Sequence, residues 1–404
     1  MADLKIVMTL MVRDEADIIA AMIEHHLSQG VDLIIATDNG SVDGTREILA
    51  DYAASGRVEV HDYLAHDKNQ TGVVSEMASR AASEHAATWV INADADEFFI
   101  AKDPRLTLRD ALSRIPTSIG SFPVPVVNLT GVPARSGAWI RRLTQRDVRE
   151  ESTLMSTVAL HAHPTADVVH VGRVGVTVQQ GNHGVDIPSL GTPDARFALE
   201  VLHVPWRTYS QYETKVINTG RAYDANPLLN PSPRHHGMRD YRFWKAGVLE
   251  SLYLVRHPGQ HPGSSEVPSE GFASETRLET TLAELLQSGR AIVPGRLEPL
   301  LAAPGDQYTI AERHSAEAIA GVVIPLEIEH IDASTRWRDL YRAEAAQRRR
   351  AESEREHAES VVSRLRARPE ARLRALVRRA LDAPRALASR GVRAFRSSGG
   401  AGGA

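Results

Sequence analysis

Two aspartates one residue apart follow an apolar run in Thr88-Trp89-Val90-Ile91-Asn92-Ala93-Asp94-Ala95-Asp96-Glu97-Phe98-Phe99. In an extended chain residues i and i+2 face the same side. Asp94 and Asp96 can therefore turn oxygens toward one hard cation that keeps positions open for phosphate oxygens. The plain alternative is a solvated acidic turn, and the pair alone is as consistent with one as with the other. Its place at the end of a strand in an alternating strand–helix segment favours the cation. The chain has no cysteine, so further ligands must come from carboxylates and histidines. His203, between Leu199-Glu200-Val201-Leu202 and Val204-Pro205-Trp206-Arg207, is the candidate third ligand. His183, in Gln180-Gly181-Asn182-His183, is its rival. Either could instead be a packed or solvated imidazole. His161, His163 and His170 read as ordinary strand residues.

A second cluster, Thr37-Asp38-Asn39-Gly40-Ser41-Val42-Asp43-Gly44-Thr45, ends a strand and turns into a helix. Asp38, Asn39 and Asp43 could take donors from a base or ribose where small residues let a ligand approach. Asp43 or Ser41 can equally cap the helix. A third lies at Val12-Arg13-Asp14-Glu15: Arg13 can face a phosphate, and Glu15 either a base or the start of a helix. Arg207 and Lys215 could neutralise phosphate. Lys68 and Gln70 are further donor-side candidates. Glu97, Glu151 and Asp186 are eligible by residue type as a general base; spacing does not choose among them.

The elements that must position these groups alternate. Lys5–Val12, Leu33–Thr37, Arg57–Asp62 and Thr88–Asn92 read as strands. Glu15–Gln29 reads as an amphipathic helix stopped by Gly30, with Gly44–Ala54 and Thr71–His85 as further helices. Thr107–Ile115 and Ser121–Val127 continue the alternation. The order implies a mostly parallel sheet with helices on both faces, binding ligands beyond the carboxyl ends of its strands. From about 130 to 205 the pattern is strand-rich; 206–222 reads as a helix, 225–275 as mostly loop, and Leu278–Gln287 as a short helix. Ala333–Arg366 reads as a long exposed helix that Pro369 interrupts, followed by a basic helix at Ala371–Leu381. The expected organisation is 1–130, a donor-binding half; 131–330, an acceptor-side half; 331–396, a basic helical tail; and 397–404, disordered.

The chain has 404 residues, 24% of them charged, and a formal net charge of -4. Residues 361–404 hold eleven arginines and two acids, Glu370 and Asp382, so the remainder is strongly acidic, which argues against nucleic acid as a substrate. The basic tail could lie on an anionic membrane or be a solvated or partner-packing helix. No stretch approaches the roughly 20 apolar residues of a membrane span. The opening MADLKIVMTLMVRDE lacks the basic start of a secretion signal. The cytoplasm is the expected compartment, peripheral at the inner membrane face if the tail binds lipid.

The order V-R-D-E-A-D-I-I, G-V-D-L-I-I-A-T-D-N-G-S-V-D-G-T and N-A-D-A-D-E-F-F resembles family-2-type glycosyltransferases. It is closest to a branch with an R-N-E-x-x-x-(I/L) start, a D-N-x-S-x-D-G-T turn and a D-x-D-E-F metal motif. Asp14 stands where that branch has Asn. The resemblance covers about residues 5–130 and extends to Gln180–His183 and His203–Arg207. It implies a GT-A fold and an inverting transfer from a nucleotide sugar, a UDP-sugar above all, to a glycan or lipid-linked acceptor in glycan or cell-envelope synthesis. It also implies Mn²⁺ or Mg²⁺ on Asp94 and Asp96, and a base contact at Asp38. Two other readings stand beside it. A nucleotidyltransferase normally needs a glycine-rich basic loop after the first strand, where this chain has the acidic Val12-Arg13-Asp14-Glu15. A non-catalytic glycan- or partner-binding scaffold would have no need of an intact D-A-D.

Overall fold

The computed structural model describes residues 4–65, 69–225, 232, 235–259, 270–302, 305–367, 370 and 373–379. Lys68, Pro369 and the segment 397–404 lie outside them; of the second basic helix, residues 373–379 are described and helical. The chain divides into two units, Met1–Ile331 and Asp332–Ala404. The molecule is a mixed α/β protein with helix-flanked sheets and a long C-terminal helix.

In chain order the first unit runs β1 (Ile6–Val12), α1 (Ile19–Ser28), β2 (Leu33–Asp38), α2 (Thr45–Ala53), β3 (Val58–Asp62), α3 (Gln70–Ser83), β4 (Trp89–Ala93), β5 (Glu97–Ala101), α4 (Leu108–Leu112), β6 (Ser121–Val124) and β7 (Val126–Thr130). It continues β8 (Gln145–Asp147), α5 (Glu151–Val158), β9 (Asp167–Val171), β10 (Leu199–His203), α6 (Tyr209–Asp224), α7 (His236–Lys245), α8 (Leu249–Arg256), β11 (Phe272–Ser274), α9 (Arg277–Gln287) and α10 (Pro294–Leu297). The last helix, α11 (Ile310–Ala367), begins in the first unit and makes up most of the described second.

The continuous apolar runs of β1, β2 and β4 are those of strands covered on both faces. They form the centre of a six-stranded sheet, β3-β2-β1-β4-β9-β6. The first four strands are parallel, and β9 pairs antiparallel with β4 and β6. Alternate residues of β1 serve two cores. Ile6, Met8 and Leu10 pack toward α1 and α2. Val7 packs with Val73, Val74 and Met77 of α3, and with Val176, Val178 and Ile187 of the segment after β9. A five-stranded sheet, β11-β8-β7-β10-β5, begins as soon as the first leaves off, since only three residues separate the Ala93 end of β4 from the Glu97 start of β5. Aromatic and aliphatic residues of α5, α6, α7, α8 and the start of α11 form a third core around Tyr212, Leu252 and Tyr253.

Several expectations are corrected. The first helix starts at Ile19, not Glu15, and is buried from Ile19 through Leu27 instead of amphipathic. The residues before it are tied elsewhere: Glu15 N–H donates to Thr45 Oγ1 (2.8 Å) and Ala16 N–H to Asp43 Oδ2 (2.9 Å). Its outer face is covered because Glu24 accepts from Ile292 N–H (3.0 Å) and Val293 N–H (2.9 Å). The segment 121–127 is two strands in two sheets, β6 at an edge, where Pro123 removes no needed donor. The stretch 130–205 holds α5 and irregular chain besides three strands. The stretch 225–275 is not mostly loop. It contains α7 and α8, which Asp240, Arg239 and Arg256 hold together: Arg256 donates to Asp240 Oδ1 at 2.8 Å, and Arg239 does so at 2.8 Å. The C-terminal helix begins at Ile310 because Ala316, Ala320, Ile324 and Ile331 give it a buried face. Among the described residues no helix is long and apolar enough to cross a membrane.

Candidate active site

Three parallel neighbours, β2, β1 and β4, end side by side, with Val12 in register with Asp38 and Leu10 with Ala93. Their carboxyl ends bring Asp38, Arg13 and Asp94 to one edge. The turn Asp94–Asp96 then carries the chain into β5, where Glu97 is in register with His203 at the end of β10. His203 is in turn in register with Asn128 of β7. The helix that follows, α6, presents Lys215. Both sheets and one helix thus converge on the acidic turn.

Asp96 is almost fully buried. Its Oδ2 accepts from Lys215 Nζ at 2.6 Å and lies 3.6 Å from His203 Nε2 and 3.8 Å from Arg207 Nη1. Burial opposes its charge, yet Lys215, His203 and Arg207 hold its carboxyl well below the usual carboxylate range. His203 Nδ1 meets Asn128 Oδ1 at 2.8 Å, which fixes the ring and leaves Nε2 toward Asp96. Asp94 is half-buried; its Oδ1 accepts from Gln70 Nε2 (3.1 Å) and Asn182 Nδ2 (3.2 Å). Glu97 Oε2 accepts from Asp94 N–H at 2.8 Å. Asp167, at the start of β9, is fully buried, and neither of its oxygens meets a hydrogen-bond donor in good geometry. His183 Nδ1 lies 3.3 Å from its Oδ1 and is raised above the ordinary imidazole range by that contact.

Burial, then the charges of Asp96 and Asp167, push Asp94 up. Burial, then Asp94 and Asp167, push Glu97 well up. Burial raises Asp167 against the pull of His183. So much negative charge in one place retains protons that a hard divalent cation would displace. The oxygen-rich donor set with one oriented imidazole fits such a cation.

Beside this turn opens a cleft of about 850 Å³, lined among others by Arg13, Asp17, Asn39, Asp43, Lys215 and Asn218. Of the donor-side candidates, Arg13, Glu15, Asn39 and Asp43 line it, whereas Asp38, Asp94 and Arg207 do not. Arg13 is exposed, 3.6 Å from Asp14. Asp38 Oδ2 accepts from Gly40 and Ser41 N–H, both at 3.1 Å, while its Oδ1 is buried with no hydrogen-bond partner. Asn39 Nδ2 donates to Tyr63 O (2.6 Å) and Ala65 O (2.9 Å). Asp43 accepts from Ala16 N–H and Thr45; these two hold loops in place. Arg207 does not face the cleft. It is fully buried, forked onto Asp17 (2.8 and 3.0 Å) and bonded to Glu15. Glu15 also lies 3.7 Å from Lys215.

Of the three base candidates, only Glu97 stands at the centre. Glu151 is exposed in the first turn of α5, against the third core. Asp186 is exposed, ion-paired to Arg173 and bonded to Thr177 N–H (2.8 Å). Sequence reasoning missed Asp167, Asp17, Asn128 and the role of Asn182. Only Asn182 carried a signal, lying in the Gly181-Asn182-His183 turn already singled out.

The family model described as Glycosyltransferase family 92 matches residues 7–153, the stretch that carries Arg13, Asp38, Asp94 and Asp96. No curated protein matches the chain. Among solved structures, S. aureus TarS 1-349 is 12% identical and aligns over 83% of this chain and 92% of that one, with a TM-score of 0.33. The same fragment in complex with UDP is 14% identical over the same shares, with a TM-score of 0.30. Glucosyl-3-phosphoglycerate synthase from Mycobacterium tuberculosis, in complex with Mn²⁺, UDP and glucosyl-3-phosphoglycerate, is 17% identical. It aligns over 42% of this chain and 57% of that one, with a TM-score of 0.23.

Proposed function

We propose that this protein is a glycosyltransferase that moves a sugar from a nucleotide-sugar donor to an acceptor hydroxyl. One observation carries the reading. Asp94 and Asp96 directly follow a central parallel strand beside Arg13 and Asp38, and Asp96 faces His203 from the second sheet and Lys215 from α6, the lysine lining a cleft of about 850 Å³. The match of residues 7–153 to a glycosyltransferase family supports it, as do the family-2-type motifs on the same stretch.

Asp94 and Asp96, with His203, would hold a divalent cation, Mn²⁺ or Mg²⁺, whose chemistry is to neutralise the donor's diphosphate. Lys215, half-exposed on the cleft, donates to the diphosphate oxygens as the sugar's C–O bond breaks and negative charge grows on the leaving group. The unpartnered Asp38 Oδ1 accepts from the base or ribose. The acceptor hydroxyl gives its proton to a carboxylate as it attacks the anomeric carbon from the face opposite the nucleoside diphosphate, which inverts that centre. Glu97 is the candidate base by position. A UDP-sugar as donor, and a glycan or lipid-linked acceptor, complete the reading.

The test is donor turnover and binding with Mn²⁺ or Mg²⁺ across UDP-, GDP- and dTDP-sugars. Binding and slow hydrolysis of one donor are expected, and both should be lost in Asp94→Ala and Asp96→Ala. Absence of binding and turnover with every donor overturns the function, and normal metal-dependent binding in both variants overturns the site.

A further inference from the structure

The segment after β9 folds back as a tight hairpin. Val178 bridges Val185, and Gln179 N–H donates to Gly184 O at 2.8 Å. Two serines of α3 pin it down: Ser75 Oγ accepts from Val178 N–H (2.9 Å) and Ser79 Oγ from Gly175 N–H (3.0 Å). At its tip Gly181 and Asn182 both have left-handed backbone, φ 73° and 61°. Glycine takes that conformation freely and asparagine at small cost. The tip is therefore a rigid arm, and Asn182, 1% exposed, is its inward side chain.

Asn182 Nδ2 donates to Asp94 Oδ1, and its own Oδ1 is buried with no hydrogen-bond partner. Turning the amide over would set that oxygen against a carboxylate oxygen, so the orientation is determined. A buried amide oxygen left unpaired costs stability, and such a cost marks a position where another requirement prevails. The beneficiary is Asp94. Gln70 Nε2, from the first residue of α3, donates to the same Oδ1. Two amides on two elements, one anchored to the other, clamp one oxygen of the carboxylate.

We propose that Asn182 and Gln70 are positioning residues that hold Asp94 Oδ1 so that Oδ2 is the oxygen presented to a divalent cation. The inference rests on the reading of Asp94 as a metal ligand. Groups that orient a ligand set metal affinity without touching the metal.

The test titrates Mn²⁺ alone into the full chain, reading free Mn²⁺ by electron paramagnetic resonance, and UDP in the presence of a chelator. Asn182→Gly keeps the left-handed backbone and removes the amide. Gln70→Met removes the other amide and leaves the hairpin untouched. Each is expected to weaken Mn²⁺ binding by about tenfold to a hundredfold with a melting temperature near that of the parent, and Asn182→Gly to leave metal-free UDP binding at the parental level. Mn²⁺ affinity at the parental level in both variants, with Asp94→Ala losing it, overturns the clamp. Mn²⁺ affinity unchanged in Asp94→Ala as well overturns the metal reading of Asp94, and the clamp with it.

Discussion

At the scale of single residues, Asp96 has two strong cations beside it, and they serve different ends. Lys215 Nζ touches it at 2.6 Å with its side chain 43% exposed on the cleft. Arg207 lies 3.8 Å away with no exposure at all, committed to Asp17 and Glu15. Burial opposes the charge of both, and the surrounding carboxylates hold both above their ordinary ranges, so each is a fixed positive charge at neutral pH. Lys215→Met should therefore lower kcat by about 10²–10³-fold, the usual loss for one preorganised donor to a developing anion, with little change in melting temperature. Steady-state kinetics with whichever nucleotide sugar the donor screen selects checks this, and an unchanged kcat would show that the lysine only pairs with Asp96. Arg207→Met should behave oppositely. It leaves buried carboxylates uncompensated and should cost about 3–5 kcal/mol in urea unfolding.

At the scale of elements, α1 is coupled to the strand that follows the acidic turn. His26 Nδ1 meets Met22 O at 2.9 Å while its Nε2 accepts from Phe99 N–H at 3.0 Å, and His25 Nε2 meets Phe99 O at 2.9 Å. That pattern requires His26 to be neutral. Burial lowers His25 from 6.5 to about 4 and His26 well below its ordinary range. Between those limits the unfolded chain binds more protons than the folded one, so stability rises with pH from about 4 to 6.5 and is lost as pH falls through that window. For His25 alone the loss is about 3 kcal/mol. Urea midpoints at pH 7 and pH 5 measure it, and a flat profile would contradict it. The helices α6, α7 and α8 respond in a different window. Burial opposes the charge of Asp240, but Arg239 and Arg256 depress its pKa far below the ordinary value. Its contribution is complete above about pH 4 and fades only in stronger acid. Asp240→Asn, measured at pH 7, should destabilise the fold by about 3–5 kcal/mol through the stranded arginines.

At the scale of the whole molecule, the last buried side chain among the described residues is Ile331, where the first unit ends. A chain ending there should unfold cooperatively near the melting temperature of the full chain and bind Mn²⁺ and UDP equally well; calorimetry and titration check both. The same boundary shows how far sequence reached. Uninterrupted apolar runs marked β1, β2 and β4, and the abrupt change from Ile91 to Asp94 marked the end of β4, because burial on both faces leaves a local pattern that needs no knowledge of partners. The helices α7 and α8 were hidden because the charged residues among their apolar ones are satisfied only in the fold, with Arg256 reaching Asp240 across 16 residues, so composition alone reads them as polar loop. Candidate bases could be named by type, but only tertiary structure put Glu97 at the centre and Asp186 on Arg173. By itself the sequence determined the central strands and the Asp94–Asp96 pair at the end of one of them. Tertiary structure alone decided that His203 meets Asp96 while His183 meets Asp167, that Lys215 faces the cleft while Arg207 is enclosed, and that Asn182 reaches Asp94 across 88 residues. Those contacts depend on strand register and on where a hairpin is pinned to α3, and neither leaves a periodic trace along the chain.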